Sequence, residues 1–165
     1  MKINLFLLDY KLLINMTNLN RDNLFAQPLG KVPKFVFDRS VVDIFPDMIQ
    51  RSVPGYQTII NHTGELADRF VQNNSHCYDL GCSLGASTLA IRERIEARNA
   101  TIFSVDNSQA MLDKLKTILQ SQPAKTETKL VKNDICDIEI TNASLVVLNF
   151  TLQFVPLDRR SELVS

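Results

Sequence analysis

Cysteine and histidine are scarce: the 165 residues hold three cysteines and two histidines. Cys77, Cys82 and Cys136 form no CxxC pair, and neither His62 nor His76 stands at ligand spacing from them, which speaks against structural zinc. An odd number of unpaired cysteines suits a reducing cytosol. Charge of one sign is missing too, since 18 basic side chains balance 18 acidic ones. Lys114, Lys116, Lys125, Lys129 and Lys132 are scattered, so no global field or basic block draws in nucleic acid. No run of about 18 apolar residues free of charge exists, as a membrane span would need. The opening MKINLFLLDYKLLIN imitates a signal peptide, but Asp9 and Lys11 break its apolar run and no small-residue cleavage site follows. What remains is 45% apolar and 22% charged, the balance of a soluble globular chain of about one domain. At this length a fold buries roughly 68–70% of the surface its unfolded chain exposes, enough for a core without staples.

Internal repeats and low-complexity linkers are likewise lacking, and Gly30, Pro33, Pro46, Pro54 and Gly55 punctuate the chain singly. Met16 opens a more polar stretch, so residues 1–15 read as an upstream extension, a docked helix or a gene-start artefact; the sequence leaves these three open. From Tyr56, the residues Ile59, Ile60, Thr63, Leu66, Ala67, Phe70 and Val71 recur at helical spacing and predict an amphipathic helix ended by Asn73 and Asn74. Cys77 to Leu80 reads as a short buried strand that runs into Gly81, and a helix follows from Ser87 to about Ala97. Its Leu84, Ile91 and Ile95 are expected on one face, opposite Arg92, Glu93 and Glu96. Thr101 to Asp106 is a second strand, Asn107 and Ser108 supply a helix cap, and Met111, Leu112, Leu115, Ile118 and Leu119 mark the next helix. Lys129 to Lys132 is a third strand. Ser144 to Phe150 is a nearly continuous apolar run, expected as a central parallel strand covered on both faces. The alternation predicts an α/β fold, a doubly wound and mostly parallel sheet. The residues from Pro156 to Ser165 begin a further helix, and the pattern predicts a chain that stops mid-fold, as a truncated or frameshifted product.

The stretch that carries chemistry is YDLGCSLGAST, residues 78–88. Asp79 precedes a turn in which Gly81 and Gly85 flank Ser83, and the following helix N-terminus offers unpaired N–H groups, so the backbone is expected to approach a polar ligand closely. A dinucleotide fingerprint is GxGxxG; here the spacing is Gly-x-Ser-x-Gly with an acid two residues ahead, which disfavours a dinucleotide. The second strand ends in Asp106, 25 residues after Gly81, where a carboxylate can accept both hydroxyls of a ribose. Alone, such an acid more often caps a helix; after this turn the ribose role gains weight. Asn133-Asp134-Ile135 follows the third strand, either as an adenine contact or as a solvated turn. Asn149 closes the fourth strand at the carboxyl edge, where open α/β sheets hold ligands, while Phe150 and Phe154 are expected in the core. His62 and His76 lack a partner in sequence and read as structural or surface residues.

The pattern D-x-G-x-[G/S]-x-G resembles motif I of the S-adenosylmethionine (SAM)-dependent methyltransferase fold. DRSVVDIFPDMIQRSVPGY (38–56), YDLGCSLGAST, VDNSQAM (105–111) and NASLVVLNFTLQF (142–154) resemble, more narrowly, the carboxy-S-adenosylmethionine synthase family of bacterial tRNA wobble-uridine modification. The resemblance covers roughly residues 22–164 and the N-terminal two-thirds of the family's length. It implies strand order 3-2-1-4 with three further C-terminal strands missing, an N-terminal extension over 1–21, and a partial SAM-binding domain over 22–165 whose helical lid spans 22–72. It implies an enzyme that converts SAM and prephenate to carboxy-SAM, phenylpyruvate and water, without metal, as a cytoplasmic homodimer. A separate tRNA carboxymethyltransferase would use the product, so no direct contact with nucleic acid is needed. By position, Tyr56 resembles the family's lid tyrosine and Gly81, Cys82 and Ser83 its methionine-binding turn. Asp106 and Asn107 match the ribose pair, Asp134 and Ile135 the adenine contacts, and Asn149 the contact near the sulfonium. The family's arginine for the substrate carboxylate matches nothing here, and a lysine would not replace its bidentate fork. The expectation is a SAM half-site without the acid half-site. A generic methyltransferase, and a non-catalytic SAM-binding or interaction module, are the two alternatives.

Overall fold

A computed structural model describes residues 39–163, which fall into two compact units divided between Tyr56 and Gln57. The expectations for residues 1–21, and for the lid before residue 39, lie outside the described residues. In the first unit, helix α1 (Arg39–Val42) is followed by α2 (Phe45–Ser52). Pro46 occupies the first turn of α2, where its missing N–H leaves no bond unmade. Asp47 and Arg51 form an exposed ion pair one turn apart at 3.2 Å.

Helix α3 (Tyr56–Phe70) starts at the division and agrees with the periodicity of its sequence. Its buried stripe is narrower than expected: Ile60, Thr63, Gly64 and Ala67 are buried, whereas Leu66 and Phe70 are about half exposed. Gly64 explains the narrowness, because a Cβ there would lie 2.9 Å from the Ala90 carbonyl oxygen. Two helix backbones touch at this point, so the flanking large side chains are turned outward. Arg69 lies 5.3 Å from the centre of the exposed Phe70 ring.

The sheet consists of β1 (His76–Leu80), β2 (Thr101–Asp106), β3 (Glu127–Lys132) and β4 (Ala143–Val147), all parallel, in the order β3-β2-β1-β4. This is the order that the resemblance implied, within the doubly wound class that the alternation predicts. Helix α4 (Ala86–Arg94) joins β1 to β2, α5 (Gln109–Ser121) joins β2 to β3, and α6 (Leu157–Leu163) follows β4. Side-chain alternation separates the two faces. Cys77 and Ile102 meet Ala67, Ile91, Ile95 and Val147 on one face. Tyr78, Leu80 and Val105 meet Ile135 and Val155 on the other. Tyr78 stacks on Phe103 with ring centres 5.1 Å apart, and His76 meets the same ring edge-on. His76 also hydrogen-bonds the Thr141 carbonyl, and exposed His62 pairs with Glu65, so both histidines have structural or surface places.

Three expectations need correction. β4 is not covered on both faces: it stops at Val147 and leaves Val146 39% exposed, and among the described residues it ends the strand order, the place a chain lacking further strands would leave it. Its apolar run continues into a turn, where Phe150 adopts a left-handed φ of 59°. Phe154 is not core but 57% exposed, on a short 3-10 turn (Leu152–Phe154). Arg92 is not on a solvated face but buried, with the Thr126 hydroxyl bonded to its carbonyl; the reason is that β3 starts against this side of α4.

Candidate ligand-binding site

The carboxyl ends of β1 and β2 set two acidic side chains beneath the glycine turn. Asp79, the fourth residue of β1, points to the α4 side and is 2% exposed. Its Oδ2 accepts the Thr88 amide at 2.9 Å and the Thr88 hydroxyl at 2.6 Å, and the Thr88 and Ser104 hydroxyls lie 2.7 Å apart. Since the Thr88 proton goes to Asp79, Ser104 donates to Thr88, and the three fully buried residues form one chain across β2, α4 and β1. Gly85 caps α4 with φ +80° and provides no side-chain cap, so the carboxylate from β1 satisfies an amide of the first turn in its place. Burial, the largest effect, raises the Asp79 pKa to about 6 against the lowering effect of the two Thr88 bonds; the Asp106 charge raises it further.

Asp106 ends β2 and is also buried. Its Oδ2 accepts the Ser83 amide and its Oδ1 the Ser108 amide, each at 2.8 Å, which ties the turn after β1 to the start of α5. Burial pushes its pKa up, and the Ser108, Ser83 and Asn107 amides hold it down. Beside these amides the carboxylate, with about four lone-pair sites, keeps capacity to accept a hydroxyl donor. Asn107 follows on the exposed loop, and Ser108 caps α5 by accepting the Met111 amide.

The two glycines of the turn approach protein rather than open space. A Cβ on Gly81, at φ +79°, would lie 2.4 Å from Thr151 Cγ2, and one on Gly85 2.3 Å from Leu115 Cδ1. Gly81 and Cys82 both donate their amides to the Val105 carbonyl, and Ser83 takes a left-handed φ of 50° between them and Gly85. The Thr151 hydroxyl returns to the Leu80 carbonyl at 2.9 Å, locking the end of β4 onto the turn. Asn149 donates its side-chain amide to Thr63 of α3 and Ser87 of α4, each at 3.0 Å, and so joins three elements.

Gly81, Cys82, Ser83, Asp106 and Asn107 are thus gathered at one sheet edge, and Asn149 is linked to the same helix N-terminus through Ser87. Asp134 is exposed and caps a 3-10 turn (Ile135–Asp137) through the Cys136 amide, with Arg159 3.9 Å away. Ile135 is buried in the core beside Leu80 and Val105. Tyr56 is half-buried at the first residue of α3 and belongs to the other unit. Sequence reasoning gave no role to Thr63, Ser87, Thr88, Ser104 or Thr151. Ser104 was the available signal, a hydroxyl between Phe103 and Val105 in the middle of β2.

Cys82 lies inside the turn, 5% exposed, with its thiol pushed well up by burial and by the Asp79 and Asp106 charges. Burial likewise raises Cys77 to about 11. Only half-buried Cys136 offers its sulfur to reagents. Titration with a chromogenic disulfide at pH 8 is expected to count one thiol in the native chain and three in denaturant; a fast second thiol would show that the turn opens.

The residues fit a nucleoside ligand with positive charge: two buried carboxylates lie under the turn with neutral hydrogen-bond partners, and no described hydrogen bond reaches Asp79 Oδ1. Among the described residues no three His, Cys, Asp or Glu side chains gather to hold a metal, and no helix is long and apolar enough to cross a membrane.

Comparison with known proteins agrees with this geometry. Residues 77–165, the sheet with its turn, match the family model described as Methyltransferase domain. The carboxy-S-adenosyl-L-methionine synthase of Vibrio atlanticus is 50% identical over 146 residues, 88% of this chain and 60% of that protein. The synthase of Yersinia pestis is 52% identical over 145 residues, 88% of this chain and 54% of its own length. The chain therefore spans a little over half the length of these relatives. Among solved structures, magnesium protoporphyrin IX methyltransferase from Synechocystis with bound SAM is 15% identical, with a TM-score of 0.54 over 81% of this chain and 58% of that one, a likeness of fold. With residues 77–165 matched by the Methyltransferase domain model and 50% identity over 146 residues to a named carboxy-S-adenosyl-L-methionine synthase, the chain belongs to the methyltransferase-domain family.

Proposed function

We propose that this chain is the SAM-binding part of a carboxy-S-adenosyl-L-methionine synthase, the enzyme that converts SAM and prephenate to carboxy-SAM, phenylpyruvate and water. The observation that carries the proposal is the tie between Asp106 and the Ser83 amide, which sets a ribose-accepting carboxylate beside the turn in a chain half identical to named synthases. Gly81, Cys82 and Ser83 hold the methionine end, Asp106 and Asn107 the ribose, and Asp134 and Ile135 the adenine. Asn149 lies nearest the sulfonium, and Tyr56 is the residue that resembles the family's lid tyrosine. The chemistry supplied by the bound sulfonium is an acidified methyl group: the methyl gives up one proton and gains the carbon dioxide lost by prephenate, and the proton leaves with the prephenate hydroxyl as water. The product passes to a tRNA carboxymethyltransferase acting at the wobble uridine, in the cytoplasm. A second copy of the chain is the expected partner, and the balanced charge supports the absence of direct contact with tRNA.

The test is mass spectrometry of the small molecule released when the purified chain is denatured, followed by calorimetry with added SAM. Carboxy-SAM, or SAM that rebinds, is the expected result. No sulfonium nucleoside released and no heat on adding SAM would overturn the proposal. A methyltransferase is separated from a synthase by supplying prephenate and, in parallel, methyl acceptors.

A further inference from the structure

Asp79 caps the first turn of α4 through Oδ2, and that role leaves its charge without a cationic side chain beside it among the described residues. It is 2% exposed, and both of its hydrogen bonds fall on Oδ2, from the amide and hydroxyl of Thr88. A carboxylate buried this deeply normally faces a cation, because its charge is costly away from water. None of the described residues supplies one. On β2 the neighbours are neutral Ser104 and the second carboxylate, Asp106; on α4 the neighbour is Thr88; in the turn it is the Cys82 thiol. Of the charged groups among the described residues Asp106 alone acts on Asp79, and it acts as a like charge; Arg92, one turn beyond Thr88, does not enter the balance. The β1 end therefore carries two acids, one bonded by Thr88 and the other by Ser83, with no cationic side chain beside them among the described residues.

We infer that Asp79 is a specificity-determining residue that makes the site prefer a ligand carrying positive charge over its neutral counterpart, SAM over S-adenosylhomocysteine, with the ligand's cation completing the buried charge balance. This rests on the SAM-binding reading above. Its consequence is a linkage between binding and protons. Without ligand, burial holds the Asp79 pKa near 6, so at pH 5 the side chain is mostly neutral and at pH 7.5 mostly ionised. A cationic ligand stabilises the ionised form and lowers that pKa, so its binding near pH 6 releases protons. A neutral thioether ligand stabilises neither form and releases none from this group. The preference for the cation is therefore small at acid pH and rises through the free-state pKa.

The experiment is calorimetry of the 165-residue chain with SAM and with S-adenosylhomocysteine at pH 5 and 7.5, and at pH 6 in buffers of different ionisation enthalpy. The affinity ratio of SAM to S-adenosylhomocysteine is expected to rise about tenfold between pH 5 and 7.5, a change of ~1.4 kcal/mol. Both ligands share their α-amino and carboxyl groups, so those titrations cancel in the ratio, and the packing of the methyl group does not vary with pH. Asp79→Asn keeps an oxygen for the Thr88 donors but carries no charge, so its ratio should be flat with pH and the SAM-specific proton release absent. If Asp79→Asn does not fold, the wild-type ratio and the buffer series decide alone. Both ligands binding with a pH-independent ratio would overturn the role of Asp79 and leave the SAM site standing. Neither ligand binding at any pH would overturn both.

Discussion

Alanine at position 81 is expected to lower stability by about 2–4 kcal/mol, from the left-handed backbone and from overpacking together. For a chain of this size that corresponds to roughly 6–12 °C in Tm. Gly81 has φ +79°, and the new Cβ would sit 2.4 Å from Thr151 Cγ2 and 2.5 Å from its hydroxyl. Thr151 cannot swing aside without giving up its bond to the Leu80 carbonyl, which is what holds the end of β4 to the turn. The effect should therefore be coupled. Thr151→Ala removes both clashing atoms and leaves the Thr151 Cβ, 3.0 Å away, so the double variant should be more stable than the sum of the two single losses predicts. Thermal melts of the four proteins make the check. Additive losses, or a Gly81→Ala chain that melts with the wild type, would show that the turn is not clamped as described.

Asp106→Ala should act on binding more than any other single change at the β2 end. It removes the acceptor of two backbone amides, Ser83 and Ser108, and with them the link between the turn and the start of α5. Hydrogen bonds to a charged group contribute about 1.5–3 kcal/mol each, so loss of the ribose contacts alone is expected to cost at least ~100-fold in SAM affinity. Asp106→Asn keeps one acceptor oxygen and should lose roughly tenfold. Calorimetry or equilibrium dialysis measures both. If Asp106→Ala binds SAM like the wild type, the carboxylate is a helix-capping group only.

The elements near the turn were legible because local signals agree there. The β1 residues run straight into Gly81, Thr101 to Asp106 was bounded to the residue, and Ser108 caps as a serine before a helical run should. Where the sequence misled, tertiary packing decided. Ser144 to Phe150 looks like a fully buried strand from its apolarity, but Val146 stays exposed, and the strand stops at Val147 ahead of the left-handed turn at Phe150. Leu66 and Phe70 fit the helical period, yet the close approach of α3 to α4 at Gly64 leaves them outside. In the site, the roles of Thr88, Ser104 and Thr151 depend on contacts between residues far apart in the chain, which no spacing rule records. The glycines of the turn were read as room for a ligand, whereas their missing Cβ atoms make room for Thr151 and Leu115.

The strand order also dictates when the site can exist. His76 of β1 pairs with Thr101 of β2 but also with Ala143 of β4, and the long β1–β4 separation makes closing that loop the later and slower step. During synthesis, β1, β2 and β3 can assemble as soon as Lys132 has emerged, with Asp79 and Asp106 already in place. Asn149 and Thr151 arrive after that and add the side-chain bonds from the β4 end to α3, α4 and the glycine turn. A nascent chain paused between these two points would own both acids of the site but not its clasp.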